Sequence, residues 1–324
     1  MRINLKNIIK PTGTYLFLYI LFGLLIWVAT YIGAFYTKGI AFDELTAKLF
    51  DADLLWKNAA SIVLTAVNAI LLLQLVNRFS FVGSRTFLPV FAFVLLTAVW
   101  EPTHALYQSH MALFLFICAL FQFFNTSENK FIESVFLGSL FVACASLWLN
   151  DLIFVIPFCL LGFIFQHRFS LRILLASFLG VLAPWFLYGI FIYIKSPVFD
   201  FQSLFYFGFS LGFSMEELQL PTKIYIGALF AVFFTALFGT YADFYKLANS
   251  TRRNINFNLV LLIYFILVFI FQQDFEGTFF PFITLCFSVF IANVFSTKRN
   301  DFYSILFLIF LGVNIAFAVY NFLW

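Results

Sequence analysis

Residues 1–36 read MRINLKNIIKPTGTYLFLYILFGLLIWVATYIGAFY. Three basic residues, Arg2, Lys6 and Lys10, precede an uncharged run from Thr14 to Tyr36. An α-helix rises about 1.5 Å per residue and the hydrocarbon core of a bilayer is about 30 Å thick, so a run of this length spans it. The run is too long for the apolar region of a secretory leader, and it carries no small-residue cleavage site. It is expected to stay as an anchor, with its basic N-terminal side in the cytoplasm.

The rest of the chain repeats the pattern. Of 324 residues, 64% are hydrophobic and 10% charged, where a water-soluble domain has about a quarter charged. A soluble body of this size has too little interior for that much apolar surface. Phenylalanine, with 53 copies, carries no separate chemical message. Further spans are expected at Ala59–Asn77, Phe87–Trp100, Ala105–Phe124, Ile132–Leu149, Leu152–Phe165, Ile173–Tyr193, Ile224–Thr240, Phe257–Phe271, Thr278–Phe295 and Phe302–Leu323. The expectation is an all-α, polytopic integral membrane protein with about eleven crossings, its N-terminus cytoplasmic and its C-terminus periplasmic. Phe87–Trp100 is short, at roughly 21 Å as a helix, so it needs flanking residues or a thinned bilayer.

Charge tests the count. With the N-terminus inside, Arg78, Arg85, Lys130, Arg168, Arg172, Lys246, Arg252, Arg253, Lys298 and Arg299 also fall inside. Only Lys38, Lys48, Lys57, Lys195 and Lys223 fall outside, and every arginine is inside. This is the positive-inside bias, and one span too many or too few scrambles it. The expected location is a bacterial inner membrane. Trp56, Trp100, Trp148 and Trp324 fall at outer ends and Trp27 and Trp185 in outer halves, as an interfacial aromatic belt requires.

The whole chain, residues 1–324, reads as one transmembrane domain with two long outer loops, 37–58 and 194–223. The second holds an apolar piece, Phe201–Phe213, suited to an interfacial or re-entrant helix, with Gly208 and Gly212 at a helix-packing spacing. Cys118, Cys144, Cys159 and Cys286 lie in apolar runs at no redox or metal-ligand spacing, and read as small core residues.

Asp, Glu, Lys and Arg avoid the span centres. Ion-coupled carriers place such groups near the midplane, which weighs against that mechanism. The mid-span amides Asn68, Gln74, Gln122, Asn293 and Asn314 suit interhelical hydrogen bonds or a polar cavity. Acids instead gather outside, among them Asp43, Glu44, Glu101, Asp151, Asp274 and Glu276. A loop carboxylate is usually just solvated. One held against aromatic helix ends has a raised pKa suited to general-base work or to a divalent metal ion. His104 and His110 flank Glu101 but do not share one helical face, so a metal there needs ligands from other loops. Nucleotide-binding, zincin and hydrolase motifs are absent, as is a basic face for nucleic acid.

Several of these residues resemble the multi-span glycosyltransferases of the GT-C fold. Asp43 or Glu44 stands in the first outer loop and Glu101 in the next. Between them and Tyr193 come the run from Phe136 to Trp148, a tight turn, Ile156-Pro157-Phe158, the basic turn His167–Arg172, and Gly180-Val-Leu-Ala-Pro-Trp185. The resemblance covers roughly Leu16 to Tyr193 and implies transfer of a sugar from a polyprenyl-phosphate carrier on the outer face. Asp43 or Glu44 would deprotonate the acceptor. Glu101 would orient it or hold a divalent metal, with Asp151 and His104 in support. Lys38, Lys48, Lys57 and Lys195 would neutralise the carrier phosphate, with Lys223 beside them. The chain departs from that class in its short first outer loop, in lacking a periplasmic domain after the last span, and in having no outer arginine. It also resembles uncharacterised Phe-rich bacterial membrane proteins of similar length. Two other roles stay open: a non-enzymatic subunit or scaffold of an envelope complex with membrane-protein partners, and an uncoupled lipid or small-molecule translocator.

Overall fold

The computed structural model describes residues 13–36, 52–83, 85–104, 106–125, 131–195, 219–271, 277–297 and 301–323. Among them every regular element is helical. The α-helices are α1 (Gly13–Tyr36), α2 (Ala52–Arg78), α3 (Leu88–Val99), α4 (Tyr107–Phe123), α5 (Phe131–Ser146), α6 (Val155–Phe165), α7 (Leu171–Lys195), α8 (Leu220–Ala242), α9 (Asn249–Phe271), α10 (Phe280–Thr297) and α11 (Asp301–Leu323). Short 3₁₀ turns lie at Glu101–Thr103, Asn150–Phe154 and Phe244–Lys246. Six helices are long and apolar enough to cross a membrane, starting at Trp56, Leu171, Leu220, Asn249, Phe280 and Asp301. The others form shorter apolar helices or segments. Helices satisfy their backbone groups internally, which is what hydrocarbon demands of a crossing segment.

Each expected span falls on a helix, and the differences lie at the ends. α2 begins at Ala52, seven residues before the apolar run at Ala59, and α9 begins at Asn249, well before Phe257. Polar first turns continue a helix without adding to its hydropathy. The reading at Leu152 is corrected the other way, since Asn150–Phe154 forms a 3₁₀ turn and α6 starts only at Val155.

The chain divides into two compact units, and two of the four divisions fall inside α4 and α9. In the first unit α3 is the hub, packed against α1, α2, α10 and α11. All of its residues from Leu88 to Val99 are buried. That accounts for its shortness: a helix wrapped by other helices need not match the hydrocarbon thickness. α10 is buried from Phe280 to Phe295 except at the half-buried Ile283, and it joins α3 to α8. Thr30 on α1 reaches the Ala98 carbonyl of α3 at 3.3 Å. At the end of α3, Trp100 stacks on Phe280 with ring centroids 4.6 Å apart. Tyr225 stacks on Phe317 at 3.9 Å and gives its hydroxyl to Asn314 at 2.9 Å. Gly277 has φ +71°, and a Cβ there would lie 2.5 Å from the Trp100 indole nitrogen, so the turn entering α10 requires glycine.

The aromatic belt is corrected in part. Trp56 and Trp148 are exposed, but Trp27 and Trp100 are 3% and 2% exposed and belong to the interior of the first unit. Trp185 is half-buried in the second unit and donates to Ser146 Oγ at 2.9 Å. Trp324 lies outside the described residues.

The second unit is built on the pair α5 and α7. Gly180 faces α5 so closely that a Cβ would lie 2.5 Å from the Phe136 carbonyl oxygen. Small residues permit such backbone approach between apolar helices. Phe123, Phe131 and Phe257 surround Phe163, with centroids 5.4, 5.7 and 5.6 Å from its ring. The four cysteines are free, Cys159 and Cys286 buried and the others half-buried.

Replacing Gly180 by leucine is expected to cost about 1–3 kcal/mol through overpacking against backbone. Gly189→Ala, where a Cβ meets nothing within 4 Å, is expected to be neutral or to gain up to about 1 kcal/mol of helix preference. Unfolding of both variants in detergent, followed by circular dichroism, checks the contrast; equal losses at both sites would remove the close-packing account.

Candidate functional site

The first unit has two chemically distinct ends, and two of the sequence-derived candidates, Glu101 and His104, fall at one of them. α3 stops at Val99 inside protein, so its last carbonyls need donors other than water. Pro102 lies in the 3₁₀ turn that follows, and the next two residues supply those donors. Thr103 Oγ1 donates to the Trp100 carbonyl at 2.8 Å and approaches that of Thr97 at 3.4 Å. His104 Nε2 lies 3.0 Å from the Ala98 carbonyl. A carbonyl oxygen only accepts, so Nε2 carries the proton. Asn321 Nδ2, from the last turn of α11, donates to the Val99 carbonyl at 3.0 Å. The His104 ring also lies flat on Trp27, with centroids 4.0 Å apart. His104 is therefore built into the end of α3, in contact with α1.

Glu101, half-buried, opens the same turn. α1 packs against this turn, so the chain leaves Tyr36 at the Glu101 end of the unit. Asp43, Glu44, Lys38 and Lys48 lie outside the described residues, as does the interfacial piece Phe201–Phe213. Lys57 is half-buried in the second turn of α2, and its carbonyl accepts from Ser61 at 2.9 Å. Lys195 is the last residue of α7. Asp151, expected in support of the site, lies in the second unit, in the 3₁₀ turn before α6, and is 8% exposed. Tyr264 on α9 gives its hydroxyl to the Asp151 carbonyl at 2.5 Å. Among the described residues no group of three or more His, Cys, Asp or Glu stands close enough to hold a metal ion.

The opposite end of the first unit holds a cavity of about 660 Å³. The C-terminal turns of α2, α8 and α10 open onto it through Asn77, Thr240 and Thr297. The loop after α2 contributes Arg85, the turn after α8 contributes Asp243 and Lys246, and the start of α9 contributes Ala248 and Thr251. Lys246 Nζ is 2.7 Å from the Asp243 carboxylate. That hydrogen bond holds the ammonium pKa above its ordinary value, so Lys246 stays charged at neutral pH. Arg85 is exposed. Asn293, on the last turns of α10, is 3% exposed and lines the cavity.

No family model matches this chain, and no curated protein or solved structure compared with it does.

Sequence reasoning singled out Glu101 and His104 but missed Trp27, Thr30 and Asn321 as their neighbours, because distant helices bring them together. The cavity was missed for a different reason. Its basic residues served only to orient the spans, although Asn293 was already marked as a mid-span amide suited to a polar cavity.

Removing the His104 imidazole leaves the buried Ala98 carbonyl without that donor. His104→Ala is expected to lower stability by about 1–3 kcal/mol. His104→Gln, which keeps a donor amide, is expected to lose less. Thermal unfolding of the two variants in detergent gives the comparison; a wild-type midpoint for His104→Ala would show the contact to be dispensable.

Proposed function

We propose that this chain is a multi-pass protein of a bacterial inner membrane that acts as a non-enzymatic subunit or scaffold of an envelope assembly. The observation that carries this reading is how the polar side chains inside its helices are used. Thr97 donates to the Phe93 carbonyl at 2.8 Å, Ser177 to Ile173 at 2.9 Å and Thr240 to Ala236 at 2.9 Å. Ser288 donates to Leu285 at 2.7 Å, and Asn314 both donates to the Phe310 carbonyl and accepts from Tyr225. Apart from Thr240, which lines the cavity, these groups are bonded to carbonyls of their own helices or, in Tyr225–Asn314, to a neighbouring helix, and are not turned toward a path for cargo, which speaks against the translocator reading. The alternating helix directions of the first unit support the expected sidedness: α2, α8 and α10 end at the cavity, while α3 and α11 end at the Trp100 stack.

A second reading is the GT-C-like transferase, with a polyprenyl-phosphate-linked sugar as donor. The packing of α1 on the Glu101 turn favours it, because α1 runs toward Asp43 and Glu44 at the end of the unit that holds Glu101. In that chemistry a carboxylate takes the acceptor proton and the outer lysines balance the leaving phosphate.

One set of variants separates the two. For the subunit, Asp43→Ala, Glu44→Ala and Glu101→Gln are expected to leave co-purification with membrane partners at the wild-type level, with no sugar transfer from a polyprenyl-phosphate donor in any sample. Transfer by the wild-type chain that falls at least 100-fold in one of these variants would establish the enzyme instead. Cysteine labelling in intact cells is expected to reach position 101 from outside and position 85 only after permeabilisation; the reverse pattern would overturn the sidedness on which both readings stand.

A further inference from the structure

We propose that the cavity at the Arg85 end of the first unit is a binding site for a phosphate-bearing anion with a polar organic part, a site separate from the Glu101 turn. Its volume of about 660 Å³ falls within the range of small-molecule sites, roughly 300–1,000 Å³, and exceeds what a bare phosphate fills. Two independent features of the lining point to an anion, and a third to its polar organic part.

The first is charge. The only carboxylate lining the cavity among the described residues is Asp243, and it is paired with Lys246 at 2.7 Å. The Arg85 guanidinium is exposed and makes no ion pair among the described residues, so the lining carries one net positive charge. Its planar fork matches two phosphate oxygens. The second is the start of α9. Ala248 and Thr251 line the cavity, and the Arg252 amide already bonds back to the Ala248 carbonyl at 3.0 Å. The amides of the preceding turn lack helical acceptors and sit at the positive end of a 23-residue helix. The third is Asn293. It is 3% exposed, and its side-chain amide makes no hydrogen bond among the described residues. Lining the cavity, this amide presents both a donor and an acceptor for the hydroxyls or ester oxygens of a ligand.

Such a phosphate ester comes either from a membrane lipid headgroup or from a soluble metabolite, and the full-length chain distinguishes them. In detergent free of anionic lipid, sn-glycerol 3-phosphate and inorganic phosphate are titrated by calorimetry. In nanodiscs of mixed phosphatidylglycerol and phosphatidylcholine, native mass spectrometry reads which lipid is retained. The variants are Arg85→Gln, Asp243→Asn and, as a control on an exposed residue that does not line the cavity, Arg253→Gln. Retention of phosphatidylglycerol that falls at least tenfold in Arg85→Gln identifies a lipid. Saturable glycerol phosphate binding with the same loss identifies a soluble ester. In either case Asp243→Asn, which unmasks Lys246, tightens binding severalfold, and Arg253→Gln leaves it unchanged. Equal binding by wild type and Arg85→Gln, or an equal loss in Arg253→Gln, overturns the proposal.

Discussion

Four carbonyl groups at the end of α3 govern much of what the first unit looks like. A helix that ends in water leaves its last carbonyls to the solvent. One that ends inside a protein must find donors for them. α3 finds Thr103, His104 and Asn321. Two of these are adjacent in the turn, while the third arrives from the far end of the sequence on α11. The same requirement draws in α1, whose Thr30 shares the Ala98 carbonyl and whose Trp27 covers the His104 ring. Around this end the aromatic stack of Trp100, Phe280, Tyr225 and Phe317 supplies the close packing that apolar helices use in place of a hydrophobic drive within lipid.

The two ends of the unit are therefore built by different rules. At the Trp100 end, polar groups are turned inward onto backbone and the space is filled with rings. At the Arg85 end, helix termini splay around a volume lined by an arginine, an ion pair and a buried amide. A site for a polar ligand belongs to the second arrangement.

Helix existence was legible in the sequence because long uncharged runs leave few alternatives, and Thr14–Tyr36 or Phe302–Leu323 nearly coincide with α1 and α11. Helix ends were less legible. The start of α2 at Ala52 and of α9 at Asn249 depends on turns whose polar residues look like loop. Burial was not legible where a run is apolar all round: α3 and α11 read alike, yet α3 is enclosed and α11 has many exposed apolar side chains. The candidate residues divide in the same way. Glu101 and His104 stood out as polar groups at a helix end, but their surroundings come from α1 and α11. The cavity gathers residues from Asn77 to Thr297, a grouping that only tertiary structure creates.

The enclosure of α3 also bears on how the chain assembles. Its neighbours α1 and α2 are made before it, but α10 and α11 begin only at Phe280 and Asp301. During synthesis, a helix too short to bridge the bilayer and apolar on every side waits for half of its shell. The pair α5 and α7, by contrast, meets after one intervening helix. Nearby contacts form sooner than distant ones because less chain must be ordered to make them. Biogenesis of this protein thus has a vulnerable interval, from the emergence of α3 to the arrival of α10, in which lipid or an insertion factor must shelter a segment that the finished protein shelters itself.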